Sequence, residues 1–224
     1  VIKADSPNGV TITSSMDLPI ENLTCLDKAI GLYEYTDPKL IMPPWPDSFK
    51  GYAGWPEIYI AGIPLSISRY PNEGFIQADS IIRVGKKPTN KETKQEPPKF
   101  LSAQLAQNYN KELPLFLNGY WTFKWADEII RVDSINPLSG EIELAAPHNY
   151  GMGAPSGGLF YAINQPEYVD TENEYYYNPN TGTIRFIHSF SDEEVESIQI
   201  AYQDFTLLEI QDCNQIKIEN INFK

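Results

Sequence analysis

Carboxylates are the most abundant chemically active side chains in this sequence. Its 224 residues include 30 Asp and Glu against 17 Lys and Arg. Two carboxyl groups held about 5 to 10 Å apart can divide the acid and base roles of a hydrolytic reaction. Asp127 and Glu128 are a conspicuous pair after a Trp-rich segment, but a polar pair between two strands is typical of a turn. Because spacing singles out no pair, we predict no catalytic residue.

The histidine and serine residues do not match the pattern of a zinc site or of a serine nucleophile. His148 and His188 stand 40 residues apart, without Cys, Asp or Glu at the spacing of a zinc site. Ser156 follows Pro155, which does not match the glycine-rich elbow of a serine nucleophile. The sequence therefore predicts neither a metal site nor a cofactor.

A polar block follows a hairpin-like segment and contains Arg69, Tyr70, Asn72 and Glu73. Arg69 and Asn72 are able to donate hydrogen bonds to sugar hydroxyls, and the ring of Tyr70 offers an apolar stacking face. Arg69 and Glu73 are equally able to pair with each other and fix the loop. We take all four as candidate substrate contacts and leave the loop-fixing alternative open.

The loop at residues 148–158 is long, polar and rich in glycine. This composition predicts a flexible lip that reaches over a neighbouring cleft. His148 and Tyr150 at its start are further candidate substrate contacts.

Aromatic residues make up 12% of the chain, with 14 Tyr, 10 Phe and 4 Trp. Tyrosine suits half-buried strand faces and also sugar-binding surfaces. Trp121, Phe123 and Trp125 alternate in sequence, so on a strand they share one face. We expect this face to be sandwich core rather than a sugar platform.

Charge narrows the classes of partner. The net charge is −13, and no run of Lys and Arg is interleaved with aromatics, so nucleic acid is not an expected partner. A polyanionic glycan would be repelled by the mean field, unless a local basic cleft overrides it. No stretch of about 18 apolar residues predicts a membrane span. Cys25 and Cys213 leave open whether they are bridged.

The two ends of the chain have the pattern of short strands. Near the N-terminus, a Pro-Asn-Gly sequence predicts a tight turn between two of them. Near the C-terminus, Ile216, Ile218, Ile221 and Phe223 alternate, with a shift at Asn220, where a corner residue can adopt the left-handed conformation. This is the cadence of one coil of a parallel β-helix, with an edge hairpin as the alternative. Coils of one helix would place the terminal strands parallel and adjacent.

The segment between these ends is predicted to be rich in strands. Residues 55–70 have the pattern of a hairpin with a turn at Ala61-Gly62, and residues 101–113 have a helical period. Turns then recur about every 10 residues without the period of βαβ units, which indicates a sandwich or barrel. The predicted parts are a β-helix coil fragment at residues 1–23, an inserted β-rich domain at 24–200 and a second coil fragment at 201–224.

Four segments of the sequence carry more specific information than strand propensity does. They lie at residues 58–75, 119–127, 146–151 and 160–186, and include the runs Arg-Tyr-Pro-Asn-Glu-Gly-Phe, Gly-Tyr-Trp-Thr-Phe-Lys-Trp-Ala-Asp, Pro-His-Asn-Tyr-Gly and Phe-Tyr-Ala-Ile-Asn. In order and spacing, they resemble right-handed parallel β-helix glycoside hydrolases of the α-fucosidase, xylanase and β-xylosidase type. Lys124 departs from the pattern, since the family usually has Asp there.

The resemblance implies a fold and a parent protein. The implied fold is all-β, with a sandwich- or barrel-like inserted domain flanked by strands of a right-handed parallel β-helix. The paired catalytic carboxylates of the family lie on later coils, beyond Lys224. The implied partners are an oligo- or polysaccharide and the rest of the parent β-helix, and the implied location is secreted, periplasmic or at the cell surface.

We therefore expect a non-catalytic accessory region of a carbohydrate-active β-helix enzyme that helps to shape the substrate cleft. Three alternatives remain open from the residues alone. The chain is otherwise a stand-alone carbohydrate-binding or cell-surface adhesion module, a fragment of a polysaccharide lyase, or a complete small enzyme with an acid pair that spacing does not reveal.

Overall fold

The computed structural model describes residues 1–42, 45–49, 55–85, 96–109, 114–153, 157–190, 198–201 and 208–223. The chain divides into two compact units. Unit 1 comprises Val1–Glu21, Gly54–Leu65 and Ser191–Lys224, and unit 2 comprises Asn22–Ala53 and Ser66–Phe190. The division into residues 1–23, 24–200 and 201–224 stays a prediction.

Short strands dominate the described residues, which confirms the all-β class. The first eleven are β1 Ile2–Lys3, β2 Val10–Ile12, β3 Ser15–Leu18, β4 Leu23–Asp27, β5 Leu32–Thr36, β6 Ser48–Phe49, β7 Glu57–Ile60, β8 Ile63–Pro64, β9 Ser66–Ile67, β10 Arg69–Tyr70 and β11 Ile76–Gln77. The others are β12 Ser80–Arg83, β13 Lys99–Leu101, β14 Phe116–Tyr120, β15 Asp127–Asn136, β16 Glu141–Leu144, β17 Leu159–Ile163, β18 Glu174–Asn178, β19 Thr183–Ile187, β20 Ile198–Ala201, β21 Ile218–Glu219 and β22 Ile221–Phe223.

The helical part of the described chain is small. It consists of α1 at Ala103–Ala106 and single 3₁₀ turns at Ile20–Asn22, Pro38–Leu40 and Pro166–Tyr168. The helix predicted over residues 101–113 is thus shorter than expected, because Ser102 caps its start and the helical pattern stops at Ala106. Residues 110–113 of that prediction lie outside the described residues.

In unit 1, the two ends of the chain pair in parallel, as the sequence predicts. Strand β1 pairs with β21, with Ile2 opposite Ile218, and β2 pairs with β22, with Val10 opposite Ile221. Asn220 has a φ of 60° between β21 and β22, which confirms the left-handed corner. The β-helix itself stays a prediction, because two strand pairs do not make an array of coils.

Several apolar side chains in and beside these terminal strands are exposed. Ile2, Val10, Ile216, Ile218 and Phe223 each keep between 39% and 47% of their surface accessible. The remaining sheet of unit 1 is antiparallel, in the order β3-β20-β7-β8. Its β7–β8 hairpin turns at Ala61-Gly62, so that prediction is confirmed.

Unit 2 is built on two open sheets, which fits the β-sandwich-like fold. The nine-stranded sheet has the order β10-β17-β14-β15-β16-β13-β12, with β11 beside β17 and β6 beside β15. The five-stranded sheet has the order β4-β5-β19-β18-β9, and only its β9–β18 pair is parallel.

Strand periodicity produces the core of unit 2. In β16 and β19 the buried residues alternate with partly exposed ones, as expected when each strand has one apolar face. The main cluster includes Phe100, Trp121 and Phe160, whose rings lie 5.3 to 6.2 Å apart. Trp121 stacks on Phe160 with an interplanar angle of 16°, a favourable offset arrangement.

The prediction that Trp121, Phe123 and Trp125 share a core face is wrong. Strand β14 ends at Tyr120, and residues 121–126 form the loop to β15, so strand alternation no longer applies. Trp121 is fully buried and donates from Nε1 to the Glu128 backbone oxygen at 2.9 Å, whereas Trp125 is 70% exposed.

The expected turn at Asp127 and Glu128 is also wrong, because both residues begin β15. Glu128 is buried and Asp127 is exposed, so the two carboxylates lie on opposite faces of the strand.

Cys25 and Cys213 are free thiols, and both are exposed. Within the described ranges, no helix has the length and apolar character needed to cross a membrane.

We predict that Gly119→Ala destabilises the protein. A Cβ at this position would lie 2.7 Å from the buried ring of Trp121, and such overpacking costs about 1–3 kcal/mol. Gly153→Ala is the matched control, because a Cβ there meets no atom within 4 Å. Chemical denaturation of both variants measures the difference, and equal free energies of unfolding would contradict the packing described for β14.

Candidate carbohydrate-binding site

Arg69 fixes the loop that follows it. Its Nε donates to the Pro71 oxygen at 2.9 Å, and its Nη2 donates to the Gly74 oxygen at 2.5 Å. The guanidinium carbon lies 3.7 Å from the ring centroid of Tyr161, a cation–π contact. The structure therefore favours the loop-fixing alternative for Arg69, although through backbone oxygens rather than through Glu73.

Asn72 connects the tip of this loop to a second segment by hydrogen bonds. Asn72 donates from Nδ2 to Asp170 Oδ1 at 2.8 Å and to Thr171 Oγ1 at 3.0 Å. Glu73 is exposed. Asn72 thus links the loop to the segment that precedes β18, and contact of either residue with a substrate stays a prediction.

Tyr70 lies at a cavity of about 420 Å³. Its ring stacks on that of Tyr168 at a centroid distance of 5.4 Å. The cavity is also lined by Asn108, Tyr109, Glu167 and Asp170. Of the predicted contacts, Tyr70 is the one that lines this cavity.

A buried polar seam positions this region. Asn164, with a φ of 57°, donates from Nδ2 to the Tyr177 oxygen and accepts from the Tyr177 N–H, both at 2.9 Å. The Ser68 N–H donates to the Tyr175 oxygen, and the Ser68 oxygen accepts from the Asn164 N–H. The seam therefore joins β17 of one sheet to β18 of the other, and Tyr70 follows Ser68 by two residues.

A second candidate surface is aromatic and exposed. The rings of Phe123 and Trp125 stack at 5.4 Å with an interplanar angle of 12°. Tyr150 meets both rings edge-on, at 5.3 and 5.4 Å. Trp125 is 70% exposed and Tyr150 is 46% exposed. We call these three residues the aromatic surface.

His148 supports this surface from below. It is buried, and its Nδ1 lies 3.3 Å from the Tyr150 nitrogen and 3.1 Å from the Gly151 oxygen. Its Nε2 lies 3.7 Å from a carboxylate oxygen of Glu128, which is buried as well. The predicted pair of His148 and Tyr150 is thus divided into a buried support and an exposed ring.

The loop after His148 is built on a glycine. Gly151 has a φ of 69°, and a Cβ there would lie 2.3 Å from the Gly85 oxygen. The Gly151 oxygen also accepts from Thr122 Oγ1 at 2.8 Å, which ties the loop to the segment after β14. Residues 154–156 of the predicted lip lie outside the described residues.

Sequence patterns did not predict most residues of the cavity or of the aromatic surface. Asn108 and Tyr109 fall in the segment predicted to be helical, but they lie past the end of α1. Glu167 and Asp170 lie in and after the 3₁₀ turn at Pro166–Tyr168, where no periodic pattern marks them. Strand alternation predicts that Trp125 lies in the core, because the alternating aromatic residues continue past the end of β14 at Tyr120. The Trp-Ala-Asp run offered a partial signal, since small and polar residues after an aromatic strand are typical of a loop.

Comparisons with known proteins bear on the fold. No family model matches the sequence, and no curated protein matches it. A solved structure titled "Glycoside hydrolase" is similar, with a TM-score of 0.53 and 11% sequence identity. The match covers 88% of this chain and 32% of that chain, so this chain corresponds to about a third of it. The chain thus has a fold like that of part of a glycoside hydrolase.

Glu174 makes the stability of this region depend on pH. Burial is the main cause that raises its pKa above the ordinary value of 4.5, and the nearby Asp170 carboxylate raises it further, against backbone N–H groups of Asp170 and Thr171 that lower it. A carboxyl group with a raised folded pKa favours folding in its protonated form. Its contribution is therefore present below the unfolded pKa and is lost as pH rises through the folded pKa.

We predict that Glu174→Gln removes this loss. The amide oxygen still accepts the two N–H groups, but no charge is buried. Relative to the variant, the wild-type protein should become less stable as pH rises from below the ordinary pKa of 4.5 through the raised folded pKa. Chemical denaturation at a series of pH values measures this difference in stability. The Glu73→Gln variant removes one exposed charge and so corrects for the change in net charge. Parallel curves for wild type and Glu174→Gln would refute the assignment.

Proposed function

We propose that this chain is a non-catalytic accessory region of a larger carbohydrate-active enzyme with a parallel β-helix. In this proposal, unit 2 binds glycan and helps to shape the substrate cleft of the parent enzyme. The parent acts on oligo- or polysaccharides and is secreted, periplasmic or held at the cell surface, where such polymers are found.

The observation that carries the proposal is the aromatic surface. A single exposed apolar side chain is common, but exposed aromatic rings grouped on one surface are typical of a binding site. The apolar face of a pyranose ring covers such a ring while its hydroxyls stay hydrated. Phe123 and Tyr150 hold the Trp125 ring in one orientation, so little conformational entropy is lost when a sugar stacks on it.

The terminal strands support the β-helix part of the proposal. Their parallel pairing and the corner at Asn220 fit adjacent coils. The exposed apolar residues Ile2, Ile218 and Phe223 fit a surface that neighbouring coils cover, since each coil needs a neighbour to bury its faces. The similarity to part of a glycoside hydrolase agrees with such a parent.

The geometry of Asp127 and Glu128 agrees with a non-catalytic role. Asp127 and Glu128 point to opposite faces of β15, so they are unsuited to act together on one glycosidic bond. Glu128 Oε2 instead lies 3.7 Å from Nε2 of buried His148.

We predict that Trp125→Ala abolishes most glycan binding. Loss of an aromatic anchor typically costs about 2 kcal/mol or more, so affinity should fall by at least about thirtyfold. Trp125→Phe should keep part of the affinity because it keeps a ring. Leu138→Ala is the matched control, since Leu138 is 97% exposed in another turn of unit 2. Glycan arrays followed by titration calorimetry measure the effect, and equal losses for both alanine variants would defeat the proposal.

We also predict that the isolated chain does not turn over glycans. Aryl glycosides and plant or host polysaccharides are incubated with the protein, and both hydrolytic and unsaturated products are measured. A kcat of roughly 1 s⁻¹ or more would be enzyme-like and would replace the accessory role by a catalytic one. Unsaturated products at that rate would favour the lyase alternative.

A further inference from the structure

The cavity beside Tyr70 is distinct from the aromatic surface and combines two kinds of wall. Three of its lining residues are tyrosines, Tyr70, Tyr109 and Tyr168, and two are acidic, Glu167 and Asp170. Its volume of about 420 Å³ lies within the roughly 300–1,000 Å³ that is typical of small-molecule sites. The cavity therefore has room for a monosaccharide unit.

The tyrosine wall is fixed before any ligand arrives. Tyr168 is buried, packs in the main core cluster, and donates from its hydroxyl to the Asn108 oxygen. Tyr70 stacks on it with an interplanar angle of 26°. Gln104 donates to the Tyr70 hydroxyl at 3.5 Å. These contacts hold the rings in place, as a binding site with a low entropic cost requires.

The acidic wall gives the cavity a negative field. Lys, Arg and His do not occur among the described residues that line it. Burial raises the pKa of Tyr168, and the Glu167 carboxylate raises it further. Asp170 likewise adds to the raised pKa of Glu174. Both effects have the sign expected where groups that carry negative charge when ionised lie close together.

We propose that this cavity binds a glycan unit that carries a protonated amino group, that is, a hexosamine residue that is not acetylated. The ammonium group interacts with ring faces by cation–π attraction and with carboxylates by charge-assisted hydrogen bonds. The apolar face of the sugar covers a tyrosine ring. Uronic acids are excluded because the two carboxylates repel them. This inference rests on the proposed function in taking a glycan as the ligand.

The experiment compares three oligosaccharides of equal length on the full chain by titration calorimetry: a glucosamine oligomer, its N-acetylated form and a neutral glucose oligomer. Acetylation removes the charge and leaves the ring, so it tests the proposal without changing the protein. We expect the glucosamine oligomer to bind about ten- to a hundredfold more tightly than the acetylated one, the size of a charge-assisted hydrogen bond. Added salt should weaken only the charged ligand.

Variants locate the site. Glu167→Gln and Asp170→Asn should each weaken binding of the glucosamine oligomer and leave the neutral oligomer unchanged. Asp133→Asn, an exposed carboxylate of β15 outside the cavity, controls for the net charge. Thermal melting checks that each variant is folded. Equal affinity for the acetylated oligomer, or no effect of both cavity variants, would overturn the inference.

The outcome separates this inference from the proposed function. If neutral oligomers bind through Trp125 and the glucosamine oligomer gains nothing from the cavity, the inference fails and the accessory role stands. If none of a broad set of glycans binds to either surface, both fail. Tight binding of the glucosamine oligomer that survives Trp125→Ala but not Glu167→Gln supports the cavity independently of the aromatic surface.

Discussion

The buried seam of Ser68, Asn164 and Gln165 is the interaction on which unit 2 depends. Asn164 pairs with both backbone groups of Tyr177 as a neighbouring strand would, although the two lie in different sheets. Ser68 Oγ donates to the Gln165 oxygen at 3.1 Å, and all three residues of the seam are almost fully buried. Each hydrogen-bonded polar group of Ser68 and Asn164 would cost about 1–3 kcal/mol if left unpaired, so these bonds favour the observed arrangement of the two sheets.

That arrangement determines where the cavity lies. Tyr70 follows Ser68 on β10, and Tyr168 ends the 3₁₀ turn that begins one residue after Gln165. The two rings meet because β10 pairs with β17, which places Tyr70 opposite Ala162 and close to the 3₁₀ turn that follows β17. The aromatic surface has a different origin: Trp121 is anchored in the core, and the loop after it turns Trp125 outwards.

Local signals in the sequence predicted the parts of the fold that local chemistry controls. The Ala61-Gly62 hairpin and the left-handed Asn220 each follow from turn residues and alternation. The parallel pairing of the terminal strands is not local, and it was predicted from the interpretation of both ends as coils of one β-helix. The assignment of Trp125 failed because a loop of alternating aromatics has the pattern of a strand, and only the pairing of Tyr120 with Asp127 shows where β14 ends. Local patterns did not predict the cavity, since its residues come from segments that are far apart in sequence and that the pairing of β10 with β17 brings together.

Charge connects the sequence to the site more directly than any motif. A net charge of −13 disfavours polyanionic ligands unless a local basic cleft reverses the field. Around the cavity no such reversal is found among the described lining residues, and Glu167 and Asp170 strengthen the negative field instead. The aromatic surface depends on ring contact, which is indifferent to charge. In the proposed function, ring contact and field therefore select on different properties of the glycan, which must present an apolar ring face without bearing negative charge.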